Sequence, residues 1–175
     1  MGTNVSTYEI RAALCRINDR PAFFAWLQEA GRQFNAHIIC FNADMLAGKR
    51  HAETAVCYAV RAFAEGNAIS NTLEMEALLY AAGSRQCNVG TSFGICSGDN
   101  RLWVCCSPAS DELWKSLSTR LSFQVASDWD RIDGKKLDLL MDLFKISHEE
   151  LDTLESPGHV VDLVLERVAL LEVLR

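Results

Sequence analysis

Two short runs of apolar residues limit what this chain can fold into more than any other feature. Residues 37–41 read HIICF, and residues 102–106 read LWVCC. Uninterrupted apolar runs of this length are typical of strands that are buried on both faces. Strands of this kind need cover on each side, so the two runs predict a sheet that is packed between helices.

Helix and strand signals surround these two runs. Alternating apolar residues over 8–14 predict a half-buried strand, and residues 121–126 predict a further one. Helices are predicted from Asp19 to about Ala30 with Gly31 as the stop, over Lys49–Glu65, over Thr72–Ala82, after Ser110 and throughout the segment after Gly134. The expected fold is therefore α/β (α+β): a single mixed β-sheet covered by several helices, with a helical C-terminal third. Residues 1–175 are expected to form a single domain.

The distribution of charge excludes a surface that binds polyanions over its whole extent. Seventeen basic and 23 acidic residues give a net charge of −6. Residues 1–110 carry nine of each sign, whereas residues 111–175 carry eight basic and fourteen acidic residues. A local basic patch on the first two thirds is compatible with this pattern. The chain has neither a secretory signal pattern nor an apolar run of membrane-spanning length, which predicts a cytoplasmic protein without a membrane partner.

The residues that could carry chemistry do not form a known catalytic or metal-binding motif. The seven cysteines include no C-x₂-C pair, and the four histidines include no H-E-x-x-H, so neither a metal site nor a cofactor is expected. Gly48-Lys49 lacks the first glycine and the Ser/Thr of a phosphate-binding loop. No catalytic residue is predicted. The alternative is a small cytosolic enzyme with a cysteine nucleophile or a small-molecule pocket.

A basic cluster is the main candidate for a binding site in the first two thirds. Lys49, Arg50 and His51 open the second predicted helix, where free backbone N–H groups add to the positive charge. Arg61 lies further along this helix, and Arg85 follows the next one. Such a cluster could hold a phosphate backbone or terminal nucleotides. The alternative is an ordinary solvated helix face with a Lys49–Glu53 ion pair.

The C-terminal helix is unusually apolar for a surface helix. Ser156 and Pro157 are expected to open it, and it is expected to reach Arg175. One apolar stripe contains Val160, Val161, Val164, Val168 and Leu171, and a second contains Leu163, Leu170 and Leu174, with Arg167 between the two. Since a surface helix needs one apolar stripe, this helix is either enclosed in the core, covers a partner or pairs with a second copy.

Three segments resemble a known family. Residues 47–63 read AGKRHAETAVCYAVRAF, residues 71–86 read NTLEMEALLYAAGSRQ, and residues 163–175 read LVLERVALLEVLR. They resemble the kinase-binding subunit of the KEOPS tRNA-modification complex, the PRPK-binding protein family, and most closely its archaeal type. The resemblance extends from about Ala36 to Arg175.

This resemblance implies a non-catalytic regulatory subunit. It would bind and stimulate the atypical kinase/ATPase of the KEOPS complex and contact the other KEOPS subunits only indirectly. It would also help to bind the 3′ CCA end of tRNA for threonylcarbamoyl-adenosine modification. On this basis, the RNA-binding residues are expected to be Lys49, Arg50, Arg61, Arg85 and Gln86. The partner-binding residues are expected to be Leu163, Arg167, Leu170 and Leu174.

Overall fold

The computed structural model describes residues 7–126 and 128–174. In this part of the chain, short 3₁₀ turns lie at Ala43–Met45 and Pro157–His159. The strands and α-helices are, in chain order, β1 (Glu9–Ile17), α1 (Arg20–Phe34), β2 (His37–Asn42), α2 (Lys49–Glu65), α3 (Leu73–Ala82), α4 (Cys87–Thr91), β3 (Gly98–Ser107), α5 (Asp111–Leu117), β4 (Ser122–Gln124), α6 (Gly134–Phe144), α7 (His148–Asp152) and α8 (Val160–Val173).

The four strands form one sheet in the order β2-β3-β1-β4. The predicted fold class is confirmed, because helices cover this sheet and the C-terminal third is helical. The sheet is antiparallel at every pairing, not mixed as expected. The reason is the position of β3. The strands β1 and β2 point in the same direction, but β3 runs between them in the opposite direction and separates them.

Both apolar runs are strands, as predicted: residues 37–41 make up most of the edge strand β2, and residues 102–106 make up the second half of β3, which is buried on both faces. On one face, Leu102, Val104 and Cys106 pack with α1 and α5. On the other face, Trp103 and Cys105 belong to the core that α2, α3, α6 and α8 cover. The described residues therefore form three layers, with the sheet in the middle.

Two predicted helix ends are wrong. The helix α1 continues past Gly31 to Phe34, and Asn35 caps it in the left-handed conformation at φ 47°. A Cβ at Gly31 would lie 2.9 Å from the carbonyl oxygen of Ala36, so this glycine permits close packing of the returning chain. The helix α8 starts at Val160 after a 3₁₀ turn, later than the predicted start at Ser156. By contrast, α2 has its predicted bounds.

Candidate functional site

The two apolar stripes of α8 have different environments. The first stripe is buried against α2, α3 and α6 through Val160, Val164, Val168 and Leu171. At the end of the helix, the opposite side is open: Leu170 is 42 % exposed, Val173 75 % and Leu174 67 %. These three residues are called the C-terminal patch below. They lie at i, i+3 and i+4, so they share one face of the last helical turn.

Two of the four residues expected to bind a partner lie outside the C-terminal patch. Leu163 is partly buried against the core. The guanidinium of Arg167 donates to the carboxylate of Glu150 and, at 3.3 Å, to the carbonyl oxygen of Phe144. Arg167 therefore joins α8 to the chain around α7. Val173 was not predicted, although its spacing from Leu170 would have placed it on the same face.

Two hydrogen bonds hold the last turn of α8 in place. The hydroxyl of Tyr80 donates to the carboxylate of Glu172 at 2.5 Å. The guanidinium of Arg85 donates to the carbonyl oxygen of Leu174 at 2.7 Å. A cation at this position also interacts favourably with the negative end of the helix dipole. The C-terminal patch is thus presented on an anchored helix end, and Arg85 is one of the residues that anchor it.

The five residues expected to bind RNA do not form one cluster. Lys49 and Arg50 open α2, and the exposed Arg50 forms a 3.0 Å ion pair with Asp162 of α8. Arg61 lies twelve residues further along, which is about 18 Å in a helix. Its guanidinium lies over the ring of Tyr58, which stacks on Tyr80.

Of the five residues, Arg61, Arg85 and Gln86 form a second group, near the end of α8. Arg61 reaches Tyr80 through the ring of Tyr58, and Tyr80 bonds to α8 directly. Arg85 contacts Leu174, and the exposed Gln86 is its neighbour in sequence. Contacts of Arg61 and Arg85 thus lead to the same helix end that carries the C-terminal patch, and Gln86 is next to Arg85 in sequence.

The start of α2 differs from the expected open site for an anion. The carboxylate of Asp130 accepts a hydrogen bond from the Lys49 amide at 2.7 Å, so part of this helix terminus is already occupied. His51 is completely buried and does not contribute to a basic surface. Its Nδ1 accepts from the amide of Ala47 at 3.1 Å, and its Nε2 donates to the carbonyl oxygen of Ala81 at 2.8 Å. Burial lowers the pKa of His51 to about 4, so the ring is neutral at pH 7.

Gly48 is expected to be essential for this helix start. Its φ of 111° and ψ of −173° lie in a region that is almost restricted to glycine. An added Cβ would also lie 2.5 Å from Oδ1 of Asp130. We expect Gly48→Ala to lower the free energy of unfolding by about 3 kcal/mol, measured by urea denaturation.

Gly66→Ala is the matched control for this substitution. Gly66 also has a positive φ, of 72°, but apart from its chain neighbours no atom of the described residues lies within 4 Å of the added Cβ. We expect it to cost only about 1 kcal/mol, the strain of a left-handed alanine. Equal costs for the two substitutions would show that neither the backbone conformation of Gly48 nor its contact with Asp130 has the expected importance for stability.

Four of the seven cysteines are poorly suited to act as nucleophiles. In residues 7–126 and 128–174, no three side chains from His, Cys, Asp and Glu come together as a metal site would require. Burial raises the pKa of Cys15 to about 11 and that of Cys105 to about 12, and it also raises the pKa values of Cys40 and Cys106. These thiols are therefore protonated at pH 7, which makes them weak nucleophiles. Cys57, Cys87 and Cys96 are exposed.

The described helices also bear on membrane insertion. None of them combines the length and the apolar character that crossing a bilayer requires.

The fold and the site together define an interaction protein. A three-layer core holds an apolar helix end at the surface, and hydrogen bonds from α3 and from Arg85 fix that end. Exposed apolar patches that are rimmed by polar groups are typical of protein–protein contact sites.

The family model for the kinase binding protein CGI-121 matches residues 9–172, which is almost the whole chain. The chain therefore belongs to this family, which is the family of the kinase-binding KEOPS subunit. The family description agrees with an adaptor role. A comparison with curated proteins gave no match.

Proposed function

We propose that this protein is a non-catalytic, single-domain, cytoplasmic adaptor of the KEOPS complex. Its C-terminal patch binds the atypical kinase/ATPase subunit and stimulates it. The protein contacts the other KEOPS subunits only indirectly, through that partner. The single observation that carries the proposal is the exposure of Leu170, Val173 and Leu174 at the anchored end of α8, in a chain from a kinase-binding family.

Burial of the C-terminal patch would favour association. Each large apolar side chain that moves from water into an interface contributes about 1.5–3 kcal/mol when it is fully buried. The two hydrogen bonds to Glu172 and Leu174 keep the last turn of α8 ordered before a partner arrives, so little conformational entropy is lost on binding. The acidic C-terminal third would also speed the encounter with a basic partner at low salt.

Co-expression with the cognate kinase-like subunit tests this proposal. The two chains are expected to elute together from a size-exclusion column, and the complex is expected to have higher ATPase activity than the kinase-like subunit alone. Light scattering on the isolated chain should give a monomer. Separate elution of the two chains would contradict the proposal, and a stable homodimer formed through α8 would favour the self-association alternative.

We further propose that the protein helps to bind the 3′ CCA end of tRNA for threonylcarbamoyl-adenosine modification. Three of the candidate residues, Arg61, Arg85 and Gln86, are exposed, and Arg85 contacts the end of α8 directly. Lys49 and Arg50 would form a second, separate contact, in which Arg50 exchanges its exposed ion pair with Asp162 for a phosphate. Such an exchange is inexpensive, because an exposed ion pair contributes at most about 1 kcal/mol.

Arg85→Ala is expected to weaken tRNA binding and to reduce its salt dependence. Loss of one phosphate contact should lower the slope of log K against log[salt] by about 1. The measurement is an electrophoretic shift or anisotropy titration with the co-expressed complex at several salt concentrations, using mature tRNA and tRNA that lacks CCA. Mature tRNA should bind more tightly.

Arg131→Ala is the matched control, because Arg131 is also an exposed arginine but lies in the loop before α6. It should leave affinity and slope unchanged. If Arg85→Ala behaves like Arg131→Ala towards tRNA, Arg85 serves only to anchor α8 and the proposed RNA edge is wrong.

A further inference from the structure

An open groove of about 880 Å³ lies beside β2, away from the C-terminal patch. Since the sheet order is β2-β3-β1-β4, β2 is an edge strand and its outer side forms the floor of this groove. The wall from α1 carries Phe24, which is 52 % exposed, and the opposite wall carries Met75 and Leu78 of α3. The groove therefore combines a strand edge with apolar side chains on both sides.

On the groove side of β2, the backbone groups of Ile38 and Cys40 have no described backbone partner, although both residues are largely buried. The amide of Asn42 donates to the carbonyl oxygen of Phe93 at 2.7 Å, so the backbone of Asn42 points away from β3. Alternate residues of a strand point their N–H and C=O groups to the same side, and Ile38 and Cys40 therefore also point into the groove. No described backbone group bonds to either of them on this side.

The groove is less acidic than the chain as a whole, which has a net charge of −6. Glu74 is the one acidic side chain among the described lining residues, and it is paired with His37 at 2.8 Å. Arg32 lines the groove and forms an ion pair with Glu29. The guanidinium of Arg20 makes no hydrogen bond or ion pair with the described residues. An acidic side chain of an occupant could therefore pair with Arg20.

We propose that the β2 groove binds an extended, acidic segment of another protein, which adds to the sheet as a strand beside Ile38 and Cys40. Its backbone would bond to the open groups of β2, which provides affinity without a particular sequence. Its alternate side chains would contact Phe24 on one wall and Leu78 on the other, and an Asp or Glu would pair with Arg20. A polynucleotide fits less well, because it would bring many phosphates to a groove with one unpaired arginine and one glutamate.

Panning a phage library of random eight-residue peptides against the full chain tests this proposal. The selected peptides are expected to be enriched in Asp, Glu and β-branched or aromatic residues. The best peptide, made synthetically with a fluorescent label, should bind Arg20→Glu at least tenfold more weakly. Glutamate is tolerated in the first turn of a helix, so this variant should fold. Arg131→Glu is the control with the same charge change outside the groove, and it should bind normally.

Two measurements separate strand addition from other modes of binding. N-methylation of alternate peptide residues should abolish binding in one register and leave it intact in the other, because only one set of N–H groups faces β2. Amide exchange of Ile38 and Cys40 should slow at least tenfold in the complex. The proposal fails if no peptide is enriched, if both N-methylated peptides bind normally, or if the two amides keep their exchange rates. It also fails if a CCA-ended RNA oligonucleotide protects these amides and no peptide does.

Discussion

Leu174→Asp is expected to weaken binding of the kinase-like subunit at least ~100-fold while the free energy of unfolding stays nearly the same. The side chain is 67 % exposed in the free protein, so an aspartate there remains in water and costs little stability. In the complex, the same carboxylate would be buried without a partner, and the apolar contact of the leucine would be lost. A 100-fold change corresponds to about 2.7 kcal/mol, which these two effects together exceed.

Leu170→Asp should act in the same direction, because Leu170 lies one turn earlier on the same face. Val125→Asp is the matched control. Val125 is 93 % exposed in the segment after β4, so the substitution places the same charge on an exposed apolar residue outside α8. Affinities are measured by titration of purified kinase-like subunit, and unfolding by urea denaturation. Unchanged affinity in both α8 variants would show that the partner binds elsewhere.

His51→Leu is expected to destabilise the protein at pH 7 by about 2–4 kcal/mol. The substitution leaves the amide of Ala47 and the carbonyl oxygen of Ala81 buried without hydrogen-bond partners. Each such group costs about 1–3 kcal/mol. The leucine itself fits an apolar environment, because His51 packs edge-on against Phe144 at a centroid distance of 5.5 Å.

The difference between the parent protein and His51→Leu should become smaller in acid. In the folded protein the pKa of His51 is about 4, whereas an unfolded histidine has a pKa of about 6.5. Between these two values the unfolded chain binds the proton more strongly, so the parent protein loses stability as the pH falls. At pH 4.5 this loss amounts to about 2–3 kcal/mol, and His51→Leu does not have it.

The measurement is urea denaturation of the parent protein and of His51→Leu at pH 7.5 and 4.5. Both proteins have the same carboxylates, so the effect of carboxylate titration on stability cancels in the comparison. His148→Leu is the control, because His148 is an exposed histidine at the start of α7. It should leave stability unchanged at both pH values. A constant difference between the parent protein and His51→Leu across this range would mean that His51 is not held neutral by the fold.

Local signals account for the elements that were predicted correctly. The apolar runs at 37–41 and 102–106 are strands, and α2 has its predicted ends because Gly66 provides the left-handed residue after Glu65. A capping box at Ser147 starts α7 in the same local way. Each of these features depends on residues that are close together in sequence, where side-chain pattern and backbone conformation are directly linked.

The candidate site was only partly predictable. The apolar excess of α8 was evident from the sequence, but periodicity did not indicate which stripe would be exposed. Nothing in the sequence indicated that the guanidinium of Arg85 would also bond to Leu174, 89 residues away. His51 was grouped with Lys49 and Arg50 as a basic residue, but packing of α2 against α3 buries it and makes it neutral.

The sequence alone determined the strands, most helices and the presence of one helix with more apolar surface than a surface position requires. Only the tertiary structure decided that β3 separates β1 from β2, that Asp130 occupies the start of α2 from 81 residues away, and that Leu170 and Leu174 stay in solvent while Leu171 is buried. The physical reason is the range of the interactions involved. Helix and strand signals act over a few residues, whereas burial and capping by distant groups exist only after the chain has folded.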